Sequence, residues 1–404
     1  MRACQIFVVA FVVAIAASSS GHQTPSQDLP HELLYIVDSD HGNADSHERL
    51  FSVDPRRKVI VRNYPTGSRP DFALSPDGTR LYVAYEEMSP DRKEGQGKLD
   101  VIETATGTVV ASTANPNRWV AMGPLYSSEM ALSADGRWLY MKKLTLDLNH
   151  LPVEAVAIFD TAASKFLADT ISLPKCAASL LVPWPDGRAL SVLCSQDLDL
   201  RTVRFNDQGV PANLVPTGIP VTNHATAQWV GTAFVSGANE VTVIAADGKY
   251  SRINVETSKI VEEGMIVFSP PLTPSGWHPH VRGAEHVPSL GRRYIDMQPP
   301  LESDGRLYVQ LSRSDLYLHA ADAIAVLDQK TLRQAAFFEL KTSQRGSSWN
   351  LFWSGAIGDD GTRLYLLGVE SKGGIVHVLS LPDGREIDTI KGFGATPTIV
   401  VLSP

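Results

Sequence analysis

The sequence predicts an all-β fold, a seven-bladed β-propeller whose ring is closed by N- and C-terminal strands in one blade. Three observations predict it: a recurring hairpin built around Asp-Gly, a second hairpin after each copy, and an unpartnered strand at each chain end. A chain of 404 residues usually divides into two or three domains. Repeated blades, however, allow one all-β domain to reach this length.

The first hairpin is clearest between Phe72 and Val83, where two apolar strands flank Asp77-Gly78. Asp-Gly between alternating apolar runs favours a hairpin because glycine adopts positive φ without steric cost. Further copies centre on Asp135-Gly136, Asp186-Gly187, Ser236-Gly237, Asp304-Gly305 and Asp360-Gly361.

A second hairpin follows each copy, as in Leu99–Val110 and Ala323–Leu332, and seven of these occur. The first hairpin has only six complete copies. The missing half-copies lie at the ends, in Leu33–Val37 and Thr398–Leu402, which together complete a seventh four-stranded unit. Such closure removes exposed sheet edges. The repeat is irregular, and six or eight blades are the alternatives.

Two segments rich in alanine and leucine, Val153–Ile171 and Ala320–Leu340, also fit an amphipathic helix. Their place in the repeat favours strands. Phe159-Asp160 and Leu327-Asp328 stand where another copy has Val53-Asp54.

The first twenty residues predict export. Arg2 precedes an unbroken apolar run, Ile6–Ala17, and small residues follow, as in a secretory signal peptide. A membrane anchor is the alternative, but the run is too short to span comfortably. The expected organisation is a signal peptide at 1–20, a flexible mature N-terminus at 21–32 and one propeller domain at 33–404, located in the periplasm. The net charge of −8 argues against nucleic-acid binding.

Two cysteines, Cys176 and Cys194, remain after removal of the signal peptide. An even pair in an oxidising compartment predicts a disulfide, worth roughly 3 kcal/mol in the chain-entropy model. Two buried free thiols are the alternative.

Alternating strands place both hairpin turns of each blade on one face, and these turns are short. The other connections share the opposite face, where the long insertions occur. Because loops on a rigid scaffold commonly carry binding sites, we expect the partner or ligand on that second face. The insertions are Glu86–Lys98, Asn115–Ser127, Lys142–Glu154, Ser269–Ile295, Ser312–Asp322 and Thr342–Trp349.

Metal-site patterns are weak. His278, His280 and His286 are close enough in sequence to hold a transition metal, but no acidic or cysteine partner completes the set, and a surface loop is the favoured interpretation. The segment Asp38–Asp45 hints at a calcium loop but lacks its regular ligand positions, so a polar turn is favoured. We therefore expect no metal site.

No pattern predicts a catalytic group in this chain. A Gly-x-Ser-x-Gly elbow does not occur, and neither Gly-x-Gly segment opens a helix, so no catalytic residue and no bound cofactor are expected. Four tryptophans lie beside repeat strands, where packing between blades is the expected role: Trp119, Trp138, Trp184 and Trp229.

The chain resembles the heavy subunit of methylamine dehydrogenase and its aromatic-amine relatives over most of residues 33–404. The most specific shared element is Ser172-Leu-Pro-Lys-Cys176 followed by Cys194. The order of further shared stretches along the chain also supports the resemblance: Arg118-Trp119-Val120 leading to Ala131–Gly136, Ser275-Gly-Trp277-His278-Pro279, and His319 ahead of Ile324–Asp328.

This resemblance implies a periplasmic subunit of an enzyme that oxidises primary amines to aldehyde and ammonia. The family's cofactor, tryptophan tryptophylquinone, belongs to a small cysteine-rich light chain, with a heterotetramer as one arrangement and a copper protein or cytochrome as electron acceptor. It also implies a disulfide between Cys176 and Cys194. Residues expected on the partner face are Arg118, Trp119, Trp277, His278, His319 and Trp349.

Two other functions fit the same sequence. One is an orphan propeller that serves as a periplasmic binding or scaffold module without a light chain. The other is an independent propeller hydrolase or lactonase with an axial metal ion.

Overall fold

All regular structure that can be described in the protein is β-strand. The computed structural model describes residues 32–38, 49–88, 95–115, 130–146, 152–174, 176, 179–194, 199–206, 208–221, 230–272, 293–295, 299–313, 321–340, 343–345, 348–358, 360–370, 373–381, 383–393 and 397–402. From Glu32 onward the chain forms one compact unit. Among the described residues no helix is long and apolar enough to cross a membrane.

The two chain ends meet in one four-stranded antiparallel sheet. Its strands are β1 (Leu34–Asp38), β2 (Arg49–Asp54), β3 (Val59–Tyr64) and β30 (Pro397–Leu402), in the order β3-β2-β1-β30. Leu34 lies opposite Leu402, and Ile36 lies opposite Val400. The predicted closure by N- and C-terminal strands is therefore confirmed, and we call this sheet blade 7.

Six further blades follow in chain order, each with its strands running antiparallel. Blade 1 contains β4 (Ser68–Leu74), β5 (Arg80–Met88), β6 (Gly95–Glu103) and β7 (Val109–Ala114). Blade 2 contains β8 (Met130–Leu132), β9 (Trp138–Leu146), β10 (Pro152–Asp160) and β11 (Lys165–Leu173). Blade 3 contains β12 (Ser179–Pro183), β13 (Ala189–Cys194), β14 (Asp199–Arg204) and β15 (Gly218–Pro220). Blade 4 contains β16 (Val230–Gly237), β17 (Glu240–Ala245), β18 (Lys249–Asn254) and β19 (Lys259–Met265).

Blades 5 and 6 share one hydrogen-bonded sheet through a bridge between Ala321 and Phe352. Blade 5 has a divided first strand, because β20 and β21 both pair with β22. Blade 5 contains β20 (Arg293–Ile295), β21 (Leu301–Ser303), β22 (Arg306–Arg313), β23 (Ala321–Asp328) and β24 (Gln334–Glu339). Blade 6 contains β26 (Ser348–Ile357), β27 (Arg363–Glu370), β28 (Gly373–Ser380) and β29 (Glu386–Lys391), and the short β25 (Ser343–Arg345) pairs with the start of β26.

The two segments that also fit a helix are strands. The first forms β10 and β11, and the described part of the second forms β23 and β24. The two hairpins have the same pairing as their counterparts in the other blades, so repeat position predicted them better than composition did.

The first turn of blade 1 is closed by its own side chains. In blade 1 the Ser75 hydroxyl donates to Asp77 Oδ1 (2.6 Å), and the backbone N–H of Arg80 donates to Ser75 Oγ (2.9 Å). Gly78 has φ +69°, which the tight turn requires. Hydrogen bonds from Ser75 and Thr79 lower the pKa of Asp77. The carboxylates of Asp77, Asp135, Asp186 and Asp360 thus accept hydrogen bonds within their own turns.

In blades 7 and 5 the second turn is closed by a carboxylate at the end of the third strand. Asp54 Oδ1 accepts the backbone N–H groups of Arg56 (2.8 Å) and Arg57 (2.9 Å). Asp328 Oδ1 accepts the N–H and the hydroxyl of Thr331, both at 2.8 Å. This local capping accounts for Asp54 and Asp328 and assigns both residues to folding.

The hydrophobic core consists of clusters between neighbouring blades. Trp184 is 1% exposed in the cluster between blades 3 and 4, and its Nε1 donates to Ser191 Oγ (3.0 Å). Trp138 packs in the cluster between blades 2 and 3. The predicted packing role is confirmed for these two tryptophans, whereas Trp119 and Trp229 lie outside the described residues.

Candidate functional site

Most of the long connections open on one face of the ring, whereas the long connection between β14 and β15 (205–217) opens on the other. Because neighbouring strands are antiparallel, the first-to-second and third-to-fourth turns leave one face, and all other connections leave the opposite face. We call the second one the elaborated face. The connections 39–48, 89–94, 116–129, 147–151, 273–292 and 314–320 start and end there, and these residues lie outside the described part.

Blade 4 departs from this pattern. Its second and third strands are joined on the elaborated face by a tight turn, in which Gly248 has φ +88°. A Cβ at Gly248 would lie 2.9 Å from Phe268 Cε2, so the chain after β19 packs closely on this turn.

Of the predicted partner-face residues, the structure describes one. Trp349 lies in β26, opposite Gln344 of β25, at the end of blade 6 that opens on the elaborated face. The connections carrying the other five begin and end at strand ends on that face. Those five lie outside the described residues, and their roles stay predictions: Arg118, Trp119, Trp277, His278 and His319.

The described residues contain no group of three or more His, Cys, Asp or Glu side chains arranged to hold a metal ion. His278, His280 and His286 lie outside them, as does the segment 39–48. The weak sequence signals for metal ligands are therefore not tested by the structure.

The disulfide predicted between Cys176 and Cys194 is present. Cys176 lies in the connection from blade 2 to blade 3, and Cys194 is the last residue of β13, next to the elaborated face. Both residues are buried, with 1% and 0% exposure. The bond fastens a blade-to-blade connection to the second strand of the blade that follows it.

A buried arginine holds the same connection. Arg201 Nη1 donates to the carbonyl oxygen of Pro174 (2.8 Å), and Arg201 Nε donates to Asp199 Oδ2 (3.2 Å). Arg201 is 6% exposed, and a buried guanidinium needs such partners because desolvation of an unpaired charge is costly. Asp199 and Arg201 lie at the start of β14, directly after the connection 195–198. The disulfide and Arg201 therefore both hold the connection from blade 2 at the end of blade 3 that opens on the elaborated face.

Removing this disulfide is expected to lower the free energy of unfolding by about 3 kcal/mol, because the unfolded chain regains the entropy of the open loop. The measurement is chemical denaturation of the Cys176→Ala/Cys194→Ala variant beside the native chain, each with and without reductant. Reductant should destabilise only the native chain. Equal denaturation midpoints for the native chain and the variant in the absence of reductant would contradict the expectation.

Blade 1 contains buried carboxyl groups next to an aromatic donor. Tyr85 OH donates to Asp100 Oδ2 (2.8 Å), and Asp100 is 5% exposed. Burial, reinforced by the nearby Asp100 carboxylate, raises the pKa of Tyr85, so the phenol stays protonated and acts as a donor. On the opposite side of the blade, Asp71 and Glu86 are 2% and 7% exposed. Blade 1 thus carries three carboxyl groups in largely buried positions.

Blade 5 contains a buried polar cluster where its strands reach the elaborated face. Gln310 and Ser312 alternate along β22 and share one side of the blade, the side that packs on blade 6. Asp322 follows the connection 314–320 and is the extra residue of a β-bulge, between Ala321, which pairs with Ser312, and Ala323, which pairs with Leu311. Gln310, Ser312 and Asp322 are 8%, 0% and 1% exposed. Burying a polar side chain costs free energy unless it has hydrogen-bond partners, and such exceptions to an apolar core are common at functional sites. We therefore regard these three residues as a candidate site.

Sequence reasoning did not identify the blade 5 cluster. One signal was present in the sequence. Tyr308, Gln310 and Ser312 alternate with apolar residues along an otherwise apolar strand, and the last two of them are polar. The connection 314–320 carries His319, and β26 of the adjoining blade carries Trp349, so both predicted residues belong to elements that begin or end beside this cluster.

No protein-family model matches the sequence, and no curated protein matches it. Solved structures are similar in fold. The periplasmic gluconolactonase of Pseudomonas aeruginosa has a TM-score of 0.56 at 13% sequence identity, covering 92% of this chain and 99% of that chain. A β-propeller domain of Myceliophteria thermophila has a TM-score of 0.50 at 13% identity, covering 82% of this chain and 89% of that chain.

At such low identity these likenesses establish the fold alone. They agree with seven blades in a ring closed by both chain ends, and the predicted seven-bladed β-propeller is confirmed. Because proteins of one fold perform unrelated functions, a function for this chain has to be argued from its own residues.

Proposed function

We propose that this chain is the large, non-catalytic subunit of a periplasmic quinone-dependent amine dehydrogenase. In this proposal a separate cysteine-rich light chain carries tryptophan tryptophylquinone. The reaction converts a primary amine and water to an aldehyde and ammonia, while the quinone accepts two electrons and two protons. A copper protein or cytochrome then takes up the electrons.

The observation that supports this proposal is the disulfide between Cys176 and Cys194. These are the two cysteines that the resemblance to the amine dehydrogenase heavy subunit pairs. The bond fixes a connection on the elaborated face. Arg201 holds the same connection two residues earlier, by donating a hydrogen bond to the carbonyl oxygen of Pro174. A rigid face of this kind suits a subunit whose role is to bind and orient another chain, because preorganisation reduces the entropy lost on binding.

In this role the chain's own residues bind and position the light chain and exclude water from the contact. The quinone, when present on the light chain, supplies the oxidising equivalents. Trp349 and Trp119 are proposed as apolar anchors of the contact, since buried tryptophans contribute strongly to interface affinity.

Affinity purification of the chain from the periplasm of its native host tests the proposal. A small, cysteine-dense protein with quinone absorbance should co-purify, and amine-dependent dye reduction should follow the complex. Trp119→Ala and Trp349→Ala should each weaken the association at least about tenfold. Arg57→Ala, on the opposite face, is the matched control and should leave it unchanged.

Two outcomes would overturn the proposal. Recovery of a stable chain without a quinone-bearing partner would favour a binding or scaffold module. Hydrolysis of gluconolactone by the purified chain would favour a lactonase, the activity named for the Pseudomonas aeruginosa protein of the same fold.

A further inference from the structure

The outermost strands of the seven blades are exposed sheet edges, and six of them carry features that discourage pairing with another chain. Charged side chains and proline at an edge have this effect because a pairing partner would have to bury them. The residues concerned are Arg62 in β3, Lys165 and Asp169 in β11, Pro220 in β15, Lys259, Glu262 and Glu263 in β19, Glu339 in β24, and Glu386, Asp388 and Lys391 in β29.

β7 differs from the other six. Its sequence, Val109-Val-Ala-Ser-Thr-Ala114, contains neither a charged residue nor proline. Among the described strands it pairs only with β6, so the backbone N–H and C=O groups of its outer edge are bonded to no other described strand. Val109 and Val110 are 38% and 55% exposed. β-branched residues on an uncharged open edge are typical of strands that pair with another strand.

A strand of blade 7 that reaches the turn before β7 also exposes apolar side chains. At the turn before β7, a Cβ on Gly107 would lie 3.1 Å from Cδ of Arg62, which places the end of β3 next to this turn. Val59, Ile60 and Val61 of β3 are 36–50% exposed. Together with Val109 and Val110 they are five of the thirteen large apolar side chains exposed in the described part of the chain.

We propose that β7 is a self-association edge, on which a second copy of this chain docks by antiparallel β7–β7 pairing. A two-fold axis at Ser112 would place Ser112 opposite the partner's Ser112, Ala111 opposite the partner's Thr113, and Val110 opposite the partner's Ala114. No like charges face each other in this register, which is the charge condition that a strand must meet to pair with itself. At β19 the equivalent pairing would bring Glu262 and Glu263 of two acidic chains together.

The product is a closed dimer. Joining the two blades gives one eight-stranded sheet, because blade 1 contributes four strands from each copy. An isologous contact uses the same edge on both copies, so assembly stops at the dimer. The elaborated face of each copy stays accessible. This inference does not depend on the proposed enzymatic function.

Sedimentation velocity of the purified secreted chain over a dilution series tests the inference. A monomer–dimer equilibrium is expected, with a dissociation constant on the order of 1–100 μM for so small a contact. Ser112→Lys should weaken dimerisation at least tenfold, and Val110→Lys should do the same. Ile387→Lys adds the same charge to β29, which already has charged residues, and should leave the equilibrium unchanged.

Circular dichroism of each variant shows whether it is folded, and Val110→Lys stands in if Ser112→Lys does not fold. A chain that stays monomeric at the highest concentration would overturn the inference. So would a dimer that both lysine variants preserve, and so would assembly beyond two copies.

Discussion

Removal of residues 397–404 is expected to leave the chain without a cooperatively folded state. β30 is the inner neighbour of β1, and without it β1 becomes an open edge at the point where the ring closes. Leu34 and Ile36 of β1 are fully buried and pack in one cluster with Tyr365 and Leu367 of blade 6. Opening this joint exposes the cluster, and the loss is comparable to the whole stability of a domain, about 5–15 kcal/mol.

Thermal unfolding followed by circular dichroism measures this effect. The matched control lacks only residues 403–404, which follow β30, and should unfold at the same temperature as the intact chain. A truncated chain that keeps the native melting temperature after losing all of β30 would show that closure through both termini contributes little to the fold.

The closure was predictable because it depends on local signals. Leu33–Val37 and Thr398–Leu402 have the pattern of single strands, and the Asp-Gly hairpins fix where each blade begins. The turn chemistry is local as well, since Ser75 and Asp77 act on residues within five positions. Periodicity and turn residues therefore determined the number of blades and the pairing of the chain ends.

Some details of the hairpins were not predictable from the same signals. The hairpin expected around Ser236-Gly237 forms, but its two-residue turn is at Ala238 and Asn239. Asp247-Gly248, which has the sequence of a first turn, joins the second and third strands instead. One Asp-Gly pair cannot specify which two strands of a repeat it connects, because both connections accept the same backbone geometry.

The candidate site was less predictable than the fold, because it depends on contacts between blades. Gln310 and Asp322 are ordinary polar residues in the sequence, and their burial becomes visible only in the folded chain. Arg201 is likewise explained by Pro174, which lies in the connection from the preceding blade. Residue periodicity reports the side of a strand but not the element that covers it.

A similar contact between blades makes Gly209 the most demanding glycine in the described chain. It lies in the connection between β14 and β15 with φ +75°. A Cβ there would lie 1.9 Å from Cζ2 of Trp138, in blade 2. Trp138 is 3% exposed and packs with Tyr140 and Phe205, so the indole has little room to move. Glycine is required here for both its conformation and its missing side chain.

Gly209→Ala is therefore expected to lower the free energy of unfolding by about 2–5 kcal/mol. Displacing a packed side chain costs about 1–3 kcal/mol, and a left-handed conformation costs an alanine about 1–2 kcal/mol more. Gly305→Ala separates the two contributions. Its φ is +70°, but a Cβ there would meet nothing within 4 Å, so only the conformational cost of about 1–2 kcal/mol should appear.

Denaturant unfolding of both variants gives the difference directly. Shortening the indole should relieve part of the clash, so Gly209→Ala combined with Trp138→Leu should be less destabilised than the sum of the single variants. Equal losses for Gly209→Ala and Gly305→Ala, together with additive behaviour of the double variant, would mean that the connection of blade 3 does not press on Trp138. Trp138 would then have to lie farther from Gly209 than the 1.9 Å between its Cζ2 atom and a Cβ at that position indicates.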